Sequence, residues 1–314
     1  MTPAGAKILT VTCNPALDIT YDIDRLTPYE VHRVHRVTTR AGGKGVNVAS
    51  VARQLGTDTS VTGFIGGHTG HMLQDLLDPR ITQAWVEVAE ETRRTTTLVD
   101  DRAGLLLNEP GAPLAQAAWD SLASTVESLS ATHAVVAISG SLPQNATGEQ
   151  FSQVIAAARA GGATVIVDTS GPLLLAAAAA GASILKPNRA ELLEATGTTT
   201  IDEGVRALQS IGDVSVLLSD GERGLGVFPA PRGRASARRP LWARPGEVIV
   251  GNATGAGDAV VASLAHDLAG GAEDWTSMLA SAVARSGAAV AAPVAGLIDD
   301  PTYERLLPLV TLSS

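Results

Sequence analysis

Two glycines and an aspartate in Gly255-Ala256-Gly257-Asp258 are the residues of this chain best suited to chemistry. An apolar run from Ala259 to Leu264 follows and reads as a helix, so the four stand at a helix N-terminus; Glu247-Val248-Ile249-Val250 before them reads as a short strand. The first N–H groups of a helix have no intrahelical partner, and the aligned peptide dipoles add partial positive charge there, so this turn is a site for an anion. Without side chains at Gly255 and Gly257, a ligand can approach the backbone closely. A carboxylate beside such a turn can take the proton of a hydroxyl that attacks phosphorus. With a reference pKa of about 3.9, Asp258 is charged at neutral pH and able to accept it. Helix capping is the plainer use of an Asp here, but the wrap of bare amides favours phosphoryl transfer.

Thr254-Gly255-Ala256-Gly257-Asp258 resembles the second signature of the ribokinase-like sugar kinases, the PfkB family, and Ala41-Gly42-Gly43-Lys44-Gly45-Val46-Asn47-Val48-Ala49 resembles the first. The two occur in the family's order, and the resemblance runs from about Ile8 to Leu297. It implies that Asp258 is the catalytic base and that the amides of Gly255, Ala256 and Gly257 form the anion hole. It further implies that Asp18, in Asn14-Pro15-Ala16-Leu17-Asp18, holds sugar hydroxyls together with Gly42, Gly43 and Asn47. Lys44 and the Arg of Glu91-Thr92-Arg93-Arg94-Thr95 would pair with a phosphate already on the sugar; the role maps to Arg93, or to Arg94 if the register slips by one. A cation aimed at a phosphate in a partly dry site is a strong contact. Asn188 and Glu191 match the family's Asn-x-x-Glu, which binds Mg²⁺ through water, although the same spacing makes a capping box. Lys186 and Asn188 would lie along the triphosphate of ATP, and Ser219-Asp220-Gly221-Glu222-Arg223-Gly224 resembles the nucleotide loop.

The elements that position these residues are legible as well. Lys7–Cys13 reads as a buried strand, and Asp18–Asp24 and Val31–Val37 alternate as strands with one wet face. Val46, Val48, Ala49, Ala52 and Leu55 lie on one face of a helix that stops at Gly56. Strand and helix patterns then alternate through His133–Ser139, Ala163–Asp168, Ile184–Glu191 and Val214–Ser219, the signature of a parallel sheet covered on both faces. Ligands in such sheets gather at the carboxyl ends of the strands, where Ser141 falls as a substrate contact. The family continues that loop with Pro-Gly; this chain has Gln144-Asn145, so a slightly different loop is expected.

Composition narrows the class. The charge of −9 and pI near 5.1 leave no basic surplus for nucleic acid, and one cysteine, Cys13, allows no internal disulfide. The longest apolar run, Gly171–Leu185, is shorter than the ~20 residues of a membrane span, and no export signal is evident, so a cytoplasmic enzyme is expected. Arg232–Arg239 reads as a solvated basic loop.

These readings give one ribokinase-like domain over residues 1–314: a three-layer α/β/α fold on a mostly parallel sheet, with a small β lid from about 18–37 and 93–107. The resemblance implies ATP- and Mg²⁺-dependent phosphorylation of a ketohexose phosphate, fructose 1-phosphate first, then tagatose 6-phosphate, fructose 6-phosphate third. A silent sugar-phosphate sensor would need the base or the anion hole to be lost, and both are present. A homodimer through the lids is implied by the family alone.

Overall fold

The computed structural model describes residues 6–101, 104–231 and 239–314; most of the basic loop, residues 232–238, lies outside them. Among the described residues, eleven strands make one large sheet and four make a separate small one.

The spine of the large sheet is parallel. Lys7–Thr12 lies between Asp58–Gly66 and Val135–Ser139, and Thr164–Asp168, Ile184–Leu185 and Ser215–Ser219 follow outward. These strands are buried on both sides, and alternate residues point to opposite layers. Val136 and Ile138 enter a core with Trp119, Phe151, Leu174 and Leu208 of the helices Gln116–Ser130, Gly148–Ala160, Pro172–Ala179 and Ile201–Ile211. Val135 and Ala137 enter the other, with Val48, Val260 and Leu279 of Lys44–Gln54, Ala256–Ala269 and Trp275–Ala291. The three-layer α/β expectation therefore holds. At the far edge the sheet turns antiparallel through Leu225–Phe228, Leu241–Arg244 and Thr311–Ser313.

Glu247–Val250 is not a strand. Val248 and Val250 are exposed, Glu247 pairs with Arg305, and among the described residues no strand pairs with this segment. A β-branched pattern alone cannot hold an extended segment in a sheet without a partner.

The small sheet runs in the order Val34–Gly42, Ala16–Ile23, Arg93–Val99, Gly104–Asn108. The strand Val34–Gly42 starts later and runs further than 31–37, because pairing with Ala16–Ile23 continues residue by residue down to Ala16 opposite Gly42. At its base Leu17, Ile19 and Ala41 pack on Val46, Ala49, Ile65 and Leu73, which ties this sheet to the helix carrying Asn47. Thr92 anchors the third strand: its N–H donates to Gly66 O and its hydroxyl accepts from Gly66 N.

Candidate active site

Asp258 is the third residue of the helix Ala256–Ala269, whose N-cap Gly255 has φ +88°, a conformation that favours glycine. A Cβ on Gly255 would also press within 3.0 Å of Ala295 Cβ. The carboxyl of Asp258 is 5% exposed and accepts a 2.8 Å hydrogen bond from Asn47 Nδ2. Burial pushes its pKa up to about 6; the Asn47 bond and the ammoniums of Lys44 and Lys186 pull it down, and Asp168 adds to the rise. A carboxyl so placed is a competent acceptor near neutral pH, when most of it is ionised. Asn47, expected at the sugar, is thus also the direct partner of this carboxylate.

Asp168, at the carboxyl end of its strand, ties the cations together. It is 2% exposed, with Lys186 Nζ 3.2 Å from Oδ1 and Lys44 Nζ 3.4 Å from Oδ2. Lys186 reaches the anion turn, since a Cβ on Gly257 would lie 3.5 Å from its Nζ. Burial depresses the Lys44 pKa, but Asp168, Asp258 and Glu191 together outweigh it, so the net shift is upward and the ammonium stays charged. Lys44 therefore stands among the carboxylates beside the anion turn. Its neighbour Gly43, φ +104°, caps the helix Lys44–Gln54.

A cavity of about 370 Å³ opens between Arg93 and Ser141, bordered by Asn14, Asn108 and Gly111. Asn14 knits its walls. Its Nδ2 donates to Ser141 Oγ and Leu142 O, both at 3.2 Å, and its backbone O accepts from Arg93 Nε at 3.2 Å. Gly111 leaves room for the Asn14 amide, which a methyl would strike. Arg93 Nη1 also donates to Glu109 O at 3.2 Å, while Arg94 points to the opposite, exposed face of its strand. Of the two arginines, strand alternation puts Arg93 in the cavity. Sequence alone assigns Asn14 no role, because a residue that joins segments far apart in the chain leaves no local pattern.

Asp18 lies over Gly42, whose hydrogen occupies the place where a Cβ would collide with the carboxylate. Burial raises its pKa, while Arg93, a hydrogen bond with Thr95, and Arg40 oppose the rise. Gly42→Ala should accordingly push Asp18 aside: the KM for the acceptor sugar should rise by roughly tenfold or more with little change in melting temperature, as for a lost hydrogen bond to a charged group. A melting temperature that falls while KM stays constant would separate Gly42 from Asp18.

Asn188 and Glu191 do form the capping box: Asn188 N donates to Glu191 Oε2 at 2.8 Å and Glu191 N to Asn188 Oδ1 at 2.9 Å. Each engages one side-chain oxygen, which leaves Glu191 Oε1 outside the box. Among the described residues, no three metal-type side chains cluster. A divalent cation here would rest on water and phosphate oxygens, which suits Mg²⁺, a metal that keeps much of its hydration. In the expected nucleotide loop, Gly221–Arg223 forms one 3₁₀ turn, and Asp220 draws Arg189 to 3.8 Å and Arg223 to 3.4 Å. Ser219 bridges Asn188 in the sheet, bringing loop and capping box side by side. Asn145 adopts φ +59°, the conformation in which glycine is at ease and asparagine is tolerated, so the Ser141 loop accommodates Gln144-Asn145.

A mostly parallel sheet that gathers a helix-start anion turn, a buried carboxyl and two lysines at its carboxyl edge defines an α/β phosphotransferase. The model of the pfkB family of carbohydrate kinases matches residues 11–300, and the chain belongs to that family. It is 36% identical to a 1-phosphofructokinase of Xanthomonas campestris pv. campestris over 83% of this chain and 84% of that one. Phosphofructokinase-2 of Escherichia coli, solved with potassium, superposes with a TM-score of 0.87 over 96% of this chain and 98% of its own, at 28% identity. Ribokinase of Arabidopsis thaliana, at 23% identity and a TM-score of 0.70 over 96% of this chain and 99% of its own, shares the fold. The protein is a sugar-phosphate kinase, a phosphotransferase with an alcohol acceptor, and the kinase family implies use of ATP. Among the described residues, no helix is long and apolar enough to cross a membrane.

Proposed function

We propose that this chain phosphorylates fructose 1-phosphate with ATP, giving fructose 1,6-bisphosphate. The observation that carries the reading is the pairing of a cavity that holds the Arg93 guanidinium with a separate anion turn beside Asp258. An acceptor that already bears a phosphate needs the first, and phosphoryl transfer needs the second. The name of the Xanthomonas relative fits the same substrate.

Arg93 and Ser141 take the phosphate on the sugar, and Asp18, Gly42, Gly43 and Asn47 orient its hydroxyls. Lys44 shares the cationic field, although its tie to Asp168 draws it toward the transferring group and leaves Arg93 the main anchor. Asp258 accepts the proton of the attacking hydroxyl, and the amides of Gly255, Ala256 and Gly257 carry charge on the phosphoryl as it moves. Lys186, Asn188 and the 219–224 loop hold the nucleotide. Asn188 and Glu191 would hold Mg²⁺ through water, and the ion would supply neutralising charge for the triphosphate. Closure of the small sheet excludes water from the reaction.

A coupled assay on purified protein, comparing fructose 1-phosphate, tagatose 6-phosphate and fructose 6-phosphate, tests this. The highest kcat/KM is expected on fructose 1-phosphate. A preference for either other sugar would reassign the substrate, and no turnover of any of them would remove the reading.

Two copies pair through their small sheets in this reading, covering Val34, Val37, Leu105, Leu106 and Leu107, which are 43–55% exposed in one chain. Leu105→Ser with Leu107→Ser should halve the mass seen by light scattering; an unchanged mass would place the contact elsewhere.

A further inference from the structure

The small sheet carries two cross-strand pairs of the same kind, and they behave differently. Asp22 stands opposite Arg36 and Asp18 opposite Arg40, on the same two antiparallel strands and on the same face. The outer pair is closed, with Arg36 Nε 2.6 Å from Asp22 Oδ2. The inner pair is open: the Arg40 side chain makes no hydrogen bond or ion pair with any described residue, and Asp18 turns instead toward Gly42 and Thr95.

The open pair belongs to a row. Asp18 is also opposite Thr95, and Thr95 is opposite Asn108, so Arg40, Asp18, Thr95 and Asn108 cross all four strands on one face. That face looks into the site, because Arg93, two residues before Thr95 on the same strand, lines the cavity together with Asn108. The other face is the one whose base, at Leu17, Ile19 and Ala41, is packed on the helices. Arg40 therefore presents a half-buried guanidinium to the cleft on the flank of Asp18 away from Arg93. Burial lowers its pKa and Asp18 raises it, so the carboxylate is the charge that acts on it most. A guanidinium that has lost part of its water and gained no protein acceptor needs oxygen atoms from elsewhere.

We propose that Arg40 reads the acceptor substrate directly, donating to an oxygen of the phosphorylated sugar while Asp18 beside it accepts from the sugar hydroxyls. The row then grips the sugar with a donor and an acceptor from adjacent strands, and two arginines flank the bound molecule from opposite sides. Sequence alone did not single out Arg40, because its side-chain direction depends on a strand pairing that extends to Gly42.

This rests on the sugar-phosphate kinase reading, and the two can fail separately. Wild type is first assayed on the phosphosugars; absence of turnover there would remove the function before any variant is made. With turnover in hand, Arg40→Ala should raise the KM for the preferred phosphosugar by about 10- to 100-fold, as expected for losing a hydrogen bond from a charged donor, and leave the KM for ATP within about twofold. Arg40→Lys should recover part of the loss, since it restores the charge without the planar fork. Arg36→Ala is the control, removing an equal charge from the same strand where the pair is closed, and should stay within about twofold on both substrates. Equal effects of Arg40→Ala and Arg36→Ala, or an Arg40→Ala effect on ATP alone, would overturn the proposal. If Arg40→Ala does not fold, Arg40→Gln keeps most of the packing and is read against the same outcomes.

Discussion

Asp258→Asn should lower kcat by roughly 10³- to 10⁴-fold, with the KM for ATP almost unchanged, because the amide keeps the shape and the Asn47 contact but cannot take a proton. The pH dependence follows from the same burial. The carboxyl must be ionised to act, and its pKa stands at about 6, so kcat/KM of the wild type should fall about tenfold per unit below that pH. Stability moves in the opposite sense. The folded-state pKa is raised above the unfolded value of 3.8, so the fold prefers the protonated form. Stability is therefore lost as pH rises through the window from 3.8 to about 6, and the loss is complete above it. The shift corresponds to an order-of-magnitude cost of about 3 kcal/mol at pH 8. Asp258→Asn should remove that cost and unfold at higher urea than wild type at pH 8, with the difference vanishing near pH 4. A variant that is inactive and also less stable at pH 8 would show that the carboxylate holds the helix start and is no buried liability retained for catalysis.

Arg93→Ala should raise the KM for the phosphosugar by about 100-fold, the scale of one or two charge-assisted hydrogen bonds to phosphate. Because Arg93 also bonds Asn14 O and Glu109 O, some loss of order in the cavity wall accompanies it. The discriminating measurement is weak turnover of unphosphorylated fructose. That substrate lacks the anion, so its kcat/KM should fall far less, and the preference for the phosphosugar should collapse. Arg94→Ala, one residue on and facing away, should be nearly silent. Equal losses on both sugars would reduce Arg93 to a support of the loop.

Much of this was local and could be seen in the chain. Glycine at 255 and 257 next to Asp258, the capping-box spacing of Asn188 and Glu191, and the apolar strands between amphipathic helices each depend on a few adjacent residues, and local sterics and burial patterns express them directly. Tertiary structure alone decided the rest. Val248 and Ile249 look like a strand and are not one, since a strand exists only with a partner. The clamp of Lys44 and Lys186 on Asp168 joins three separate segments, and it moves Lys44 toward the transfer site. The approach of Asn47 to Asp258 spans 211 positions, and the choice of Arg93 over Arg94 is fixed by strand phase. Sequence sets which groups are available; the electrostatics that give them a role fall off over a few ångströms, so only the distances made by folding can assign it.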